Sequence, residues 1–147
     1  MRKELIEAQI VLGRDDVKRE LKDSIRRNAW KRIFLVAGNS FFKLPIGRDF
    51  AEIEEEMGIT VEKFSGFSVN PKLEEAIEGS RAFSAFSGDV IIAVGGGSAM
   101  DTGKCIKLFS AVPEEKLFQV PWQDNGVPFV AIPTTAGSGS ESTPFAV

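Results

Sequence analysis

The stretch from Asp89 to Asp101, DVIIAVGGGSAMD, constrains this chain more than any other. Val90 to Val94 form an unbroken apolar run, mostly β-branched, with no polar alternation. Such a run reads as a strand buried on both faces, as in a parallel sheet. Gly95, Gly96 and Gly97 follow at its carboxyl end, then Ser98 and a helix-like segment from Ala99 to about Phe109. Glycines there let the backbone turn sharply and approach a ligand closely. A helix opening directly after them aims unpaired N–H groups, and the positive end of its dipole, at that ligand. Strand, glycine turn and helix N-terminus together suit a pyrophosphate. The plainer alternative is a tight strand-to-helix turn with no ligand.

The 147 residues are one domain in length, with 43% hydrophobic and 27% charged residues. That is ordinary for a globular protein with a real core. A net charge of −3 gives no basic footprint for nucleic acid. No apolar run approaches the ~18 residues of a membrane span. The N-terminus, MRKELIEAQIVLGRDD, has acidic residues where a secretory segment is apolar. One cysteine suits a reducing cytoplasm, where the chain is expected to reside. There is no histidine, which excludes Ser-His-Asp and Cys-His catalysis and imidazole zinc sites within these residues. The last residues, Pro144 to Val147, are apolar and uncapped, so a cut inside a strand is expected.

Ala8 to Leu12 is a short strand candidate. Asp15 or Asp16 is expected to cap a helix through about Asn28, with Val17, Leu21 and Ile25 inward and a solvated basic face of Lys18, Arg19, Lys22, Arg26 and Arg27. Lys31 to Ala37 reads as a strand running into Gly38-Asn39-Ser40. Phe41 to Gly47 reads as a loop, Arg48 to Met57 as a helix ended by Gly58, and Ile59 to Phe64 as a strand. Asn70-Pro71 is expected to open a helix through about Phe86, with Asn70 as cap and Leu73, Ile77 and Phe83 inward. Val112 to Asn125 reads as irregular, and Pro128 to Ile132 as the last clear strand, followed by Pro133 to Glu141. Cys105, Trp30 and Trp122 read as packing residues.

Strands alternating with helices predict a Rossmann-like, mainly parallel α/β sheet with flanking helices. Ligands of such sheets bind beyond the carboxyl ends of the strands. Three of those ends carry special chemistry, at Gly38 to Ser40, Gly95 to Ser98, and Thr134 to Ser140, and they are expected to converge. The glycine turn misses the G-x-G-x-x-G fingerprint because Met100 stands at its final position. It also misses the P-loop, since five residues separate Gly97 from Gly103-Lys104 and Cys105 follows. The run Thr134-Thr135-Ala136-Gly137-Ser138-Gly139-Ser140 offers hydroxyls and N–H groups for phosphate or ribose oxygens.

The segments Gly95-Gly96-Gly97-Ser98-x-x-Asp101 and Ile132-Pro133-Thr134-Thr135-Ala136-Gly137-Ser138-Gly139-Ser140-Glu141 resemble the iron-containing (group III) alcohol dehydrogenases, and Phe67 to Pro71 resembles that family's middle motif. The resemblance runs from about Ile10 to the end and places the fold in the dehydroquinate synthase-like superfamily. It implies an N-terminal dinucleotide-binding domain over 1–147, with a helical metal-binding domain missing. It implies NAD(P), with Gly96, Gly97 and Ser98 on the pyrophosphate beside Gly95 and Asp101 on the nicotinamide side. It puts Thr134, Thr135, Ser138 and Thr143 on the phosphates, ribose or nicotinamide, and Asn70 at the adenosine half. Asn70 is equally read as a plain helix cap, and Asp101 as a carboxylate favoured by the helix dipole.

Many NAD-preferring members carry an aspartate where Gly38 stands, which binds the ribose 2′-hydroxyl and repels a 2′-phosphate. Gly38 removes that repulsion, and Asn39 or Ser40 offers hydrogen bonds, so the expectation leans to NADP. The family's divalent metal, iron or zinc, is bound by one aspartate and three histidines in the second domain, and it favours the alkoxide that delivers hydride. These residues alone are therefore expected to bind cofactor without turnover. The substrate implied is a small alcohol/aldehyde pair, with no nucleic-acid or membrane partner and assembly as a homodimer or higher oligomer. Apolar surface from Pro128 to Val147 is expected to favour self-association. The rivals are a non-catalytic nucleotide-binding module and a dehydroquinate synthase-like lyase; the lyase lacks the Thr-Thr-Ala-Gly-x-Gly-Ser-Glu pattern.

Overall fold

The computed structural model describes residues 16–134. The strand expected at Ala8 to Leu12 and the loop beyond Thr134 lie outside them. In chain order the elements are α1 (Val17–Asn28), β1 (Arg32–Ala37), α2 (Pro45–Met57), β2 (Thr60–Phe64), α3 (Leu73–Phe86), β3 (Val90–Gly95), α4 (Gly97–Phe109) and β4 (Phe129–Pro133). Short 3-10 turns at Phe41–Lys43 and Glu114–Lys116 interrupt two of the connections. The strands form one parallel sheet in the order β2-β1-β3-β4.

Alternate residues of the two central strands serve opposite cores. Ile33, Leu35, Val90, Ile92 and Val94 pack with Leu21 and Ile25 of α1 and with Phe50 and Ile53 of α2. Phe34, Val36, Ile91 and Ala93 pack with Phe83 and Phe86 of α3 and with Met100 and Ile106 of α4. Val90 to Val94 are at most 2% exposed. Each valine and isoleucine among them contributes roughly 1.5–3 kcal/mol of transfer free energy. The register of β1 on β3 is held at its start by Asp89, whose carboxylate accepts the N–H groups of Lys31 and Arg32 at 2.7 and 2.9 Å.

Three helix starts differ from the expectation. α2 begins at Pro45 rather than Arg48, with proline in its first turn and the preceding residues wound into the 3-10 turn. α3 begins at Leu73 with Lys72 as its extended flanking residue, so Asn70-Pro71 lies outside the helix and Asn70 caps nothing. Instead the Glu75 carboxylate reaches back to accept the Ser68 N–H and, at 2.7 Å, the Ser68 hydroxyl. Leu73 is 48% exposed, not inward, and the buried face of α3 is Ala76, Gly79, Ser80, Phe83 and Phe86. α4 begins at Gly97, two residues earlier than read.

α1 ends on schedule at Asn28, although Asp16 bonds Arg19 rather than capping the helix. Part of its basic face meets α2: Lys18 pairs with Glu52, and Lys22 with Glu56 at 2.7 Å. The hydrogen bond that Lys18 donates to Glu52 raises the Lys18 pKa, and the one that Lys22 donates to Glu56 lowers that of Glu56. Trp30 is buried, whereas Trp122 is 46% exposed and packs edge-on to Phe118.

α4 lies close on the sheet because Gly103 has no side chain. A Cβ there would stand 2.8 Å from Cε2 of Phe129 and 3.1 Å from Cβ of Ala93. Overpacking of that kind costs about 1–3 kcal/mol. Gly103→Val is expected to destabilise the chain by about 2 kcal/mol, read as a fall in the urea midpoint with an unchanged m-value.

Candidate functional site

β3 leaves the sheet at Gly95, whose φ of 145° lies where side chains other than glycine are strained. Gly96 is extended, and α4 starts at the next residue. The first bond of the helix runs from the Met100 N–H to the Gly96 carbonyl at 3.1 Å. Helix geometry therefore leaves the amides from Gly96 to Ala99 without a partner inside the helix. The ladder between β3 and β4 extends one step further, with the Thr134 N–H on the Gly95 carbonyl at 2.9 Å. β1 ends in a tight turn, in which the Phe41 N–H bonds the Gly38 carbonyl at 3.1 Å and the Lys43 N–H bonds the Ser40 carbonyl at 3.0 Å.

These three strand ends enclose one cavity of about 260 Å³, lined by Gly38, Ser40, Phe41, Leu44, Phe67, Val94, Gly95 to Ala99, and Thr134. The convergence expected from topology is thus present for the described part of each loop. None of the lining residues is ionisable, so an anion here relies on backbone amides and the α4 dipole. The Ser98 hydroxyl donates to the Val69 carbonyl, which ties the segment before α3 to the glycine turn. Its proton is spent there, and what Ser98 directs to the cavity is its main-chain N–H. The Ser65 hydroxyl closes the neighbouring edge by donating to the Ala37 carbonyl at 2.7 Å.

The family model for iron-containing alcohol dehydrogenase matches residues 8–147. The chain belongs to the iron-containing alcohol dehydrogenase family. It is 38% identical over 98 residues to the aldehyde-alcohol dehydrogenase of Streptococcus pneumoniae, covering 57% of this chain and 11% of that protein. It is 36% identical over 99 residues to the NADPH-dependent butanol dehydrogenase of Clostridium saccharobutylicum, covering 63% of this chain and 26% of that protein. The crystal structure of a 1,3-propanediol oxidoreductase superposes with a TM-score of 0.70 at 31% identity, covering 84% of this chain and 33% of that one. The chain therefore spans a third or less of the length of these relatives.

Of the residues the family resemblance singles out, Gly38, Ser40, Gly95, Gly96, Gly97, Ser98 and Thr134 line the cavity. Asn39 is exposed beside it, and Asn70 is exposed next to the Val69 that holds Ser98. Thr135, Ser138 and Thr143 lie outside the described residues. Asp101 is placed elsewhere. It lines a second cavity of about 250 Å³ with Pro71, Lys72, Leu73, Ala76, Thr102, Cys105 and Phe109. Its Oδ1 is buried without a hydrogen-bond partner among the described residues. The apolar wall of Phe41, Leu44 and Phe67 was not foreseen as part of the site. The sign available was an aromatic pair, Phe41-Phe42, directly after a glycine-containing strand end.

Cys105 is half-buried at the second cavity. Desolvation, and then the Asp101 charge, push its thiol pKa up. It stays a thiol at neutral pH, and thiolate is the reactive form. Iodoacetamide at neutral pH is expected to label it about tenfold or more slowly than free cysteine, followed by mass spectrometry of the intact chain.

Proposed function

We propose that this chain is the cofactor-binding part of a metal-dependent alcohol dehydrogenase or aldehyde reductase. The longer protein transfers hydride between a nicotinamide dinucleotide and a small alcohol/aldehyde pair. The observation that carries this reading is the cavity at three parallel strand ends, floored by the Gly95–Gly97 turn at the start of α4. Its volume and main-chain lining fit a pyrophosphate: Gly95 supplies the reversal, and the free amides from Gly96 to Ala99 supply donors. The dinucleotide supplies the hydride-carrying ring, and this chain's residues bind and orient it. Thr134, fixed through its N–H on the Gly95 carbonyl, lines the same cavity.

Among the described residues no group of three or more His, Cys, Asp or Glu side chains is placed to hold a metal ion. No step of this reading runs through a metal on these residues; the metal belongs to the longer protein. No helix among the described residues is long and apolar enough to cross a membrane. Assembly as a homodimer or higher oligomer is part of the proposal, supported by β4, whose residues Phe129 to Ile132 remain partly exposed.

The cofactor is NADP in preference to NAD. Gly38 lines the cavity, and nothing lies within 4 Å of the Cβ position it leaves vacant. An aspartate there fits without strain, so its effect reads charge rather than fold. In the longer protein, calorimetric titration is expected to show NADPH binding more tightly than NADH. Gly38→Asp is expected to weaken NADPH by about tenfold or more while leaving NADH unharmed. A tenfold preference of the unaltered protein for NADH rejects the NADP assignment, and no saturable binding of either dinucleotide rejects the whole reading.

A further inference from the structure

The cavity has no ionisable lining residue, and a 2′-phosphate adds a charge of about −1.5 to −2 at neutral pH. Resting on the NADP reading above, we infer that Lys63 is the residue that recognises this phosphate. Lys63 sits one residue before the end of β2, the edge strand beside β1. It pairs with Leu35 in the parallel register, so both side chains leave the same face, the one that carries Phe41 and α2. Its ammonium is held 4.4 Å from the ring centroid of Phe42. Phe42 is 59% exposed and packs edge-on against Phe41, with centroids 5.4 Å apart. Phe41 is itself a cavity wall and bonds Gly38 through its N–H. The cation is thus fixed beside the Gly38-to-Lys43 turn, where the second ribose of a dinucleotide lies in sheets of this kind.

A ring under the ammonium explains two otherwise separate features. A large aromatic side chain stays exposed at the rim, and a flexible lysine is held there by the ring face. Among the described residues Lys63 enters no ion pair with a carboxylate. Glu54, the α2 carboxylate that reaches this edge strand, is engaged by the Val61 N–H at 3.1 Å. The charge remains available for an incoming phosphate.

The test uses the longer protein and four ligands: NADPH, NADH, 2′,5′-ADP and 5′-AMP. Lys63→Met keeps the stem and removes the charge, and Lys63→Arg keeps the charge. Lys63→Met is expected to weaken NADPH and 2′,5′-ADP by about tenfold and to leave NADH and 5′-AMP within about twofold. Lys63→Arg is expected to stay close to the unaltered protein for all four. Unchanged NADPH affinity in Lys63→Met overturns the inference while leaving the NADP reading standing. Equal weakening of NADPH and NADH also overturns it, since that marks a loss unrelated to the phosphate. If the unaltered protein prefers NADH tenfold, the reading beneath falls and the inference with it.

Discussion

β3 has no face turned to water. Each of its residues from Val90 to Val94 is packed, alternately against α1 and α2 on one side and α3 and α4 on the other. A strand in that position cannot be followed by a hairpin, because its neighbours run parallel and each link must cross a face of the sheet. The crossovers put the starts of α2, α3 and α4 at the carboxyl edge of the sheet. The chain exits there at Gly95, at a φ that only glycine takes without strain. Burial in the middle of the sheet and ligand chemistry at its edge are therefore two consequences of one arrangement.

The cavity that results combines main-chain amides with apolar side chains and with the hydroxyl residues Ser40, Ser98 and Thr134. Phe41, Leu44 and Phe67 supply an apolar part of the lining that also carries the α4 amides. A lower local dielectric strengthens whatever those amides bond. Two side-chain hydroxyls hold the rim together, Ser98 on Val69 and Ser65 on Ala37. The Glu75 clamp on Ser68 belongs to the same system, since it fixes the segment that carries Val69. The Ser68 hydrogen bonds, led by its hydroxyl, lower the Glu75 pKa. The clamp is complete above the ordinary glutamate pKa of about 4.3 and is lost as pH falls through the lowered value.

All four strands of the sheet were legible to within a residue, β1 and β3 because double-sided burial demands unbroken apolar runs, and β2 through its alternation of polar and apolar residues up to the buried Phe64. Helix ends at Asn28 and Gly58 were legible too, through helical periodicity and a C-terminal glycine. Helix starts were harder. Asn70-Pro71 has the composition of a cap, yet α3 waits until Leu73 because the Glu75 carboxylate is committed to Ser68, a contact that local spacing does not announce. Pro45 looked like a loop residue and is the first turn of α2. For the first cavity, the convergence of Gly38 and the glycine turn was readable from their place after parallel strands. The opening of Asp101 onto the second cavity was not readable, since it depends on how α4 packs beside Pro71 to Ala76. Nor was Phe41, whose role depends on how the 3-10 turn folds back over β1.

Specificity at the second ribose has two separable parts in this geometry. A carboxylate at the end of β1 would act by repulsion, and Gly38 removes it without disturbing the backbone, since its vacant Cβ position has no neighbour. Removing repulsion gives tolerance of a 2′-phosphate, not preference for it. Preference needs an attractive charge, and two unit charges at 4 Å exchange about 1 kcal/mol in bulk water and more near a protein surface. The aromatic rim at Phe42 is where such a charge is held, and it is built on the same turn as Gly38. On the proposed NADP reading, discrimination between the two coenzymes resides in the six-residue turn from Gly38 to Lys43 and the edge strand beside it, and the glycine turn at α4 is left to what both coenzymes have in common.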